Sequence, residues 1–394
     1  MKLLVILPRF PYPIEKGDKL RAYHQIRLLS KSFDILLVAI SHRRVSKEHL
    51  EKVKPYCKSI IIVRQNWLSA AWNLLVALFR GWPLQAGYYY SSRNQRTIDR
   101  LISKEKPGHI YCQLLRTAAY ARNFKGPKTL DYQDVFSKGI ERRIPTASLL
   151  MKPLLKFEYK RLLKYEKQLF SQFDNKTIIS KPDRDFINHP DKEKIEIIPN
   201  GVDRKYFNPG KGVITHELIF TGNMGYPPNV DCAEYLVNKV LPLIHRKFPE
   251  ARLMLAGASP HARVKSLASG KVTVTGWVDD IRSCYSSAMI FMAPMQIGTG
   301  LQNKLLEAMS MRLPCITSSL CNAALGAGDG SEILVGDTPK QVADHAIALL
   351  SDPELRQKVA ENGFFFSRRN YSWESANEKL SSLISGTDKS KSAL

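Results

Sequence analysis

Two doubly wound α/β domains in tandem are what the sequence predicts, and three observations carry that reading. Short apolar runs alternate with helix-periodic segments along nearly the whole chain, the pattern of parallel strands joined by helical crossovers. The 394 residues exceed what one hydrophobic core ordinarily fills. A turn-rich stretch from Pro199-Asn-Gly201 to Asn208-Pro-Gly210 interrupts the alternation midway.

Taken in order, the first half predicts strands at 2–7, 34–40, 59–63, 109–113, 128–131, 176–179 and 194–198, with helices over 18–30 and 46–54. The second predicts strands at 217–220, 252–256, 272–275, 289–293 and 314–317. Helices are expected over 230–244, 303–310, 339–350, 355–365 and 372–383. The expected organisation is a domain over 1–200, a second over 201–370, a C-terminal helix over 371–385 that is a candidate to pack back on the first domain, and a polar, disordered tail over 386–394.

Composition narrows the class. Hydrophobic residues make up 44% of the chain, ordinary for full cores. No run reaches the roughly 18 apolar residues of a spanning helix, and the N-terminal run Met1–Pro8 is too short for a signal peptide and reads as a strand. The six cysteines are scattered without a Cys-x-x-Cys pair, which argues against a zinc site or a disulfide framework and fits a reducing cytosol. The net charge of +23 is segregated: residues 1–200 hold 38 Lys and Arg against 18 Asp and Glu, and the remainder 21 against 18. The first half is therefore a candidate to meet an anionic partner, a bilayer surface, an anionic substrate or nucleic acid, the plain alternative being a generically basic, soluble surface. A nucleic-acid binder lacks a matching aromatic-rich or helix-turn-helix signature.

The most informative segment is 294–312. It follows the apolar run 288–293, turns through Gly298-Thr299-Gly300, and continues with helical spacing at Leu301, Leu305 and Met309. Strand, glycine turn and helix form the layout that holds phosphate, because N–H groups at a helix start point at an anion and glycine admits it closely. Lys304 and Glu307, one turn apart, offer a cation for a diphosphate and a carboxylate for a sugar diol. A solvated lysine and a helix-surface glutamate are the plainer readings.

Several spaced motifs resemble family 4 of the retaining glycosyltransferases, enzymes of the GT-B fold. They are Ile198-Pro-Asn-Gly-Val-Asp203, Phe220-Thr-Gly-Asn223 with Pro228-Asn229, Gly276-Trp-Val-Asp279, and the run from Gly300 to Pro314. They are in order over about 198–320, and the chain is most similar to bacterial exopolysaccharide-type sugar transferases. The resemblance implies two Rossmann-like domains facing across a cleft, with a nucleotide-sugar donor held by the second. Donor contacts are then implied for Gly17, Asn223, Gly276, Val278, Gly298, Thr299, Gly300, Leu301, Lys304 and Glu307. Neither a metal nor another cofactor is expected, and the nine histidines show no metal spacing. Three departures stand out. Thr299 occupies the place of the family's first glutamate, 222–229 lacks its usual cations, and Arg312 replaces a helix-ending glycine.

On the acceptor side, Arg21 lies one turn beyond Gly17, and Asp134 follows a strand end. Asp134 is a candidate to orient or deprotonate the acceptor hydroxyl, or else a helix cap. Lys304 is the candidate for stabilising the departing diphosphate. The segment from Trp67 to Trp82, with Trp72 and Phe79 inside it, reads either as an interfacial helix or as a core helix. Lys152, Lys156, Lys160 and Lys164 recur every four residues, a solvated stripe or an anionic-lipid contact. The expected activity is transfer of a sugar from a nucleoside-diphosphate sugar to a glycan or lipid-linked acceptor, in the cytoplasm at the inner face of the membrane. A GT-B epimerase and a catalytically silent GT-B module are the alternatives.

Overall fold

The computed structural model describes residues 1–14, 16–42, 44–65, 67–145, 147–210, 212–298 and 300–386. Thr299 and residues 387–394, for which a donor contact and a disordered tail are expected, lie outside the described residues. The chain divides into two units, Met1–Pro199 together with the chain from Glu374 on, and Asn200–Trp373.

Unit 1 is built on a seven-stranded sheet: β1 (Lys2–Leu7), β2 (Asp34–Ser41), β3 (Ser59–Arg64), β4 (His109–Gln113), β5 (Lys128–Gln133), β6 (Asn175–Ile178) and β7 (Glu196–Ile197). The order is β3-β2-β1-β4-β5-β6-β7, parallel throughout. Parallel strands are covered on both faces, which is why β1 reads Leu-Leu-Val-Ile-Leu after its first lysine and buries all five. One face packs Ala22, Ile26 and Leu29 of the Gly17–Leu29 helix, and Ala376, Leu380 and Ile384 of the Trp373–Ser385 helix join the same cluster.

Unit 2 repeats the plan with β8 (His216–Thr221), β9 (Leu253–Ala256), β10 (Val272–Gly276), β11 (Ala288–Ala293), β12 (Cys315–Thr317) and β13 (Leu334–Val335), ordered β10-β9-β8-β11-β12-β13 and parallel. In each unit the strand order reverses beside the first strand. Ligands of open α/β sheets bind at that reversal, outside the strands' carboxyl ends.

Several local results differ from the sequence expectation, among them the short β13 and the Phe136–Arg143, Ile281–Ser286 and Ser319–Leu325 helices, and two have a clear place in the fold. The helix expected over 230–244 is divided into Pro227–Tyr235, a π-helical turn at Leu236–Val240, and Leu241–His245. Pro242 has no N–H to continue the α-helical ladder, which accounts for the change of register. Two unforeseen helices, Leu84–Tyr89 and Ser92–Glu105, fill the long β3–β4 connection.

Candidate active site

In unit 2 the reversal lies between β8 and β11, and the expected residues assemble there. The chain leaves β8 through Gly222 at φ +154 and leaves β9 through Gly257 at φ +141. A Cβ on Gly257 would lie 1.9 Å from the Gly222 carbonyl oxygen, and one on Gly222 would crowd Asn229 and Lys304. Only glycine allows the two loops to touch. Asn229 then donates through Nδ2 to the Asn223 carbonyl (2.9 Å) and accepts at Oδ1 from Lys304 Nζ (2.5 Å).

The Asn303–Ser310 helix follows the β11 loop and buries Leu305, Leu306, Ala308 and Met309. That packing aims Lys304 and Glu307 to the same side. Lys304 is half-buried, with its ammonium 4.6 Å from the centre of the Phe220 ring and 3.9 Å from Met295 Sδ. Burial lowers its pKa to about 8, while Glu307 and the nearby cysteines oppose the shift. Glu307 Oε2 accepts from the buried Tyr285 hydroxyl at 2.9 Å, and Tyr285 Oη lies 2.8 Å from Thr221 Oγ1. Burial raises the Glu307 pKa, and the Tyr285 hydrogen bond and Lys304 work against that rise. Neither residue is the plain surface charge that was the competing reading.

Around them, Asn223 Oδ1 accepts from the Gly225 N–H. Gly276 closes β10 at φ +70, Val278 packs on the unit 2 core, and Gly298 turns at φ +103. Gly300 has open space where a Cβ would stand, and Leu301 lies against the core. The helix ends with Arg312 at φ +56. Leu313 N–H bonds the Ala308 carbonyl (3.0 Å), the six-to-one closure of a Schellman turn. The expected departure at Arg312 therefore leaves the turn intact, and its guanidinium stacks over Phe364 at 4.4 Å.

In unit 1 the outcome is mixed. Gly17 begins its helix with ordinary φ, and a Cβ there would meet nothing within 4 Å, so no local strain or crowding demands glycine. Arg21 is corrected. It is 0% exposed, and its guanidinium donates to both carboxylate oxygens of Asp131 at 2.7 and 3.0 Å. Tyr111 and Thr177 also donate to Asp131, each at 2.8 Å. A guanidinium without solvent access holds the core together and does not meet an acceptor.

Asp134 is not a cap: Val135 holds the N-cap of the Phe136–Arg143 helix, and Glu166 accepts from both the N–H and the hydroxyl of Ser137. Asp134 reaches solvent, yet the protein around it displaces water. That desolvation, with like charge from Asp183 and Glu166, pushes its carboxyl up to about 7 against Arg116. Sequence reasoning missed Arg116, which lies over the rings of Phe136 (4.6 Å) and Tyr89 (5.2 Å). It missed Tyr285, Gly257 and the Asn229 contact as well. Arg116 comes just past the end of β4, so strand-end position was the available signal.

The basic segments form one surface. The Trp67–Phe79 helix exposes Trp72 (67%), Leu75, Leu78 and Phe79 (92%), while the side chain of Trp67 lies outside the described residues. The core alternative fails for that face. The Met151–Gln172 helix exposes Leu154 and Phe157, and Leu149 and Leu150 just before it are also exposed. Arg161 joins the two helices: it donates to the carbonyls of Ala77, Leu78 and Trp82 while stacking on Phe157 at 4.0 Å. Lys156, Lys160 and Lys164 are exposed beside that apolar strip, and Lys152 is half-buried. Among the described residues no helix is long and apolar enough to cross a membrane.

Comparison with known proteins adds to this geometry. Residues 215–352 match the family model Glycosyl transferases group 1, which contains the whole Lys304–Glu307 site. Sucrose-phosphate synthase from Thermosynechococcus elongatus superposes with a TM-score of 0.72 at 14% identity, covering 98% of this chain and 99% of that one. The fold is GT-B. HepE of Anabaena, in complex with UDP and glucose, is similar at a TM-score of 0.70 and 11% identity over 97% and 99% of the two chains. In sequence, an uncharacterised 44.6 kDa protein in the cps region of Klebsiella pneumoniae is 22% identical over 94% of this chain and 96% of that one. Family match and GT-B fold together support a glycosyltransferase.

Proposed function

We propose that this GT-B protein is a metal-independent, retaining glycosyltransferase that moves a sugar from a nucleoside-diphosphate sugar to a glycan or lipid-linked acceptor at an anionic membrane surface. The observation carrying the donor assignment is the pairing of Lys304 and Glu307 on one helix at the unit 2 reversal, inside the segment that matches Glycosyl transferases group 1. Glu307 binds the ribose hydroxyls. Lys304 and the N–H groups of Gly298, Gly300 and Leu301 take the diphosphate, whose charge grows as the glycosidic bond breaks. Lys304 therefore stabilises the departing group more than the bound donor.

Unit 1 holds the acceptor, with Asp134 receiving or orienting the hydroxyl proton and Arg116 beside it. The similar protein in the cps region of Klebsiella pneumoniae supports a role in polysaccharide biosynthesis. UDP and UDP-glucose, which HepE structures contain, are the first ligands to try.

A thermal-shift screen of nucleotide-sugars tests the assignment, since binding to the folded state alone raises apparent stability. The donor that shifts the melt should give sugar transfer that survives EDTA and preserves the anomeric configuration, read by NMR of the product. Epimerised nucleotide-sugar with no transferred sugar would replace this reading by the epimerase. Lys304→Ala should lower turnover more than donor affinity.

The membrane part rests on the exposed Trp72, Phe79 and Leu150 side chains beside the lysine stripe. Replacing Lys152, Lys156, Lys160 and Lys164 by Gln should release the protein from anionic vesicles at moderate salt, because each basic residue at such a surface contributes about 1 kcal/mol. Equal partitioning of this variant and the parent at low salt removes the membrane reading.

A further inference from the structure

Glu307 is held from one side only. Its Oε2 accepts from the Tyr285 hydroxyl at 2.9 Å. Its Oε1 has no hydrogen-bond partner among the described residues, and on this half-buried side chain that oxygen keeps contact with solvent. A free carboxylate turns readily about its terminal torsion, whose wells are broad. A bond from an immobile donor removes that freedom and leaves the second oxygen with a set direction.

Tyr285 is such a donor. It is 0% exposed, and its ring packs against Phe207 at 6.2 Å and Phe291 at 5.8 Å. Burial and the neighbouring Glu307 raise its pKa well above the ordinary tyrosine value, so the phenol keeps its proton. A phenol has one proton to give. With that proton directed at Glu307, the 2.8 Å contact between Tyr285 Oη and Thr221 Oγ1 runs the other way, and Thr221 donates. Thr221 is buried and is the last residue of β8, directly before Gly222. The carboxylate is thus tied, through two hydroxyls, to the end of the strand where the sheet order reverses.

We propose that Tyr285 is a positioning residue of the donor site: its hydroxyl holds Glu307 Oε2 so that Oε1 is presented to the ribose, and this sets how strongly a ribonucleotide is preferred over its 2′-deoxy counterpart. The proposal rests on the reading of Glu307 as the ribose ligand. Tyr285 touches no ligand and acts only through Glu307. A carboxylate already oriented loses less freedom on binding. A site arranged to bond a hydroxyl rejects the analogue that lacks it, and rejects it less when the acceptor is free to turn away.

The test uses the full chain and calorimetric titration with UDP, GDP, ADP and dTDP. The tightest ribonucleotide is then compared with its 2′-deoxy form. Tyr285→Phe keeps the ring and removes the hydroxyl. Because it strands the buried Thr221 hydroxyl, a second variant joins it to Thr221→Val, which removes both groups together. Tyr371→Phe is the control for stability: it also removes a buried unit 2 hydroxyl, one that donates to the Leu325 carbonyl.

Tyr285→Phe should weaken ribonucleotide binding about tenfold, the scale of a hydrogen bond to a charged group. The 2′-deoxy form should lose less, so the preference narrows, and the variant with Thr221→Val should behave alike. In a Glu307→Ala background, Tyr285→Phe should change affinity less than about twofold, because no carboxylate is left to orient. Tyr371→Phe should lower the melting temperature and leave affinity and preference unchanged. Losses from Tyr285→Phe and Glu307→Ala that simply add, or a loss of affinity in Tyr371→Phe as large as in Tyr285→Phe, overturn the proposal and make Tyr285 a core residue only. Equal affinity of Tyr285→Phe and the parent also overturns it, while the ribose reading of Glu307 stands. Preference of the parent for dTDP, or binding of none of the four, overturns the ribose reading and the proposal with it.

Discussion

Arg21 with Asp131 in unit 1, and Lys304 with Glu307 in unit 2, each place a cation and a carboxylate near the reversal of a parallel sheet, yet they have opposite fates. The Arg21 guanidinium meets Asp131 through two donors, Tyr111 and Thr177 satisfy the remaining carboxylate capacity, and solvent is excluded. Lys304 and Glu307 are half-buried, held mainly by neutral Asn229 and Tyr285, and their pKa shifts are in the directions that disfavour charge. A charged pair whose hydrogen bonds are completed inside the protein stabilises the fold. One held by neutral partners, with charge that burial penalises, gains most from a ligand of opposite charge.

The comparison breaks hardest at Arg21. Arg21→Ala should cost about 3–5 kcal/mol of stability, because it leaves Asp131 buried without its cation. Urea denaturation measures it, and a loss below about 1 kcal/mol would place Arg21 outside the structural role. Glu307→Ala should instead spare most of the stability and weaken donor binding by roughly 1.5–3 kcal/mol, read by calorimetric titration. Unchanged affinity there would sink the ribose assignment.

The pH profile of transfer sharpens the contrast further. In its proposed role as base Asp134 acts only when ionised, so the rate should rise through about pH 7. In its proposed role on the diphosphate Lys304 acts only when protonated, so the rate should fall as pH passes about 8. Asp134→Asn should remove the rising limb and leave donor affinity unchanged. In stability the sign for Lys304 follows from its depressed pKa. Between about 8 and the unfolded lysine value near 10.4 the unfolded chain binds more protons, so this residue's destabilising contribution fades as pH rises across that window. Arg21 gives no such dependence in the working range.

The smallest effect is expected at Arg312. Arg312→Gly relieves a left-handed non-glycine residue, worth about 1–2 kcal/mol, but forfeits stacking on Phe364 and frees the unfolded chain. The net change in a thermal melt should stay within about 1 kcal/mol. A larger loss would show that the Phe364 contact governs the turn.

What the sequence alone determined was everything written in local periodicity and glycine placement. It contained the two alternating α/β halves, the strand-turn-helix around 294–312, and the lysine and apolar segments. Parallel strands require continuous apolar runs, and helices require spaced ones, so composition along the chain is enough for both. Tertiary structure decided which of those residues face inward. Arg21 and Lys304 look alike as basic residues on helices that follow strands, and only packing shows that Asp131, 110 residues away in the chain, claims the first. Likewise Leu155 and Leu162 are buried while Leu154 and Phe157 are exposed, although all four are apolar neighbours on one helix. Which helical face meets the sheet depends on helix orientation, a property of the assembled layers that no single segment encodes.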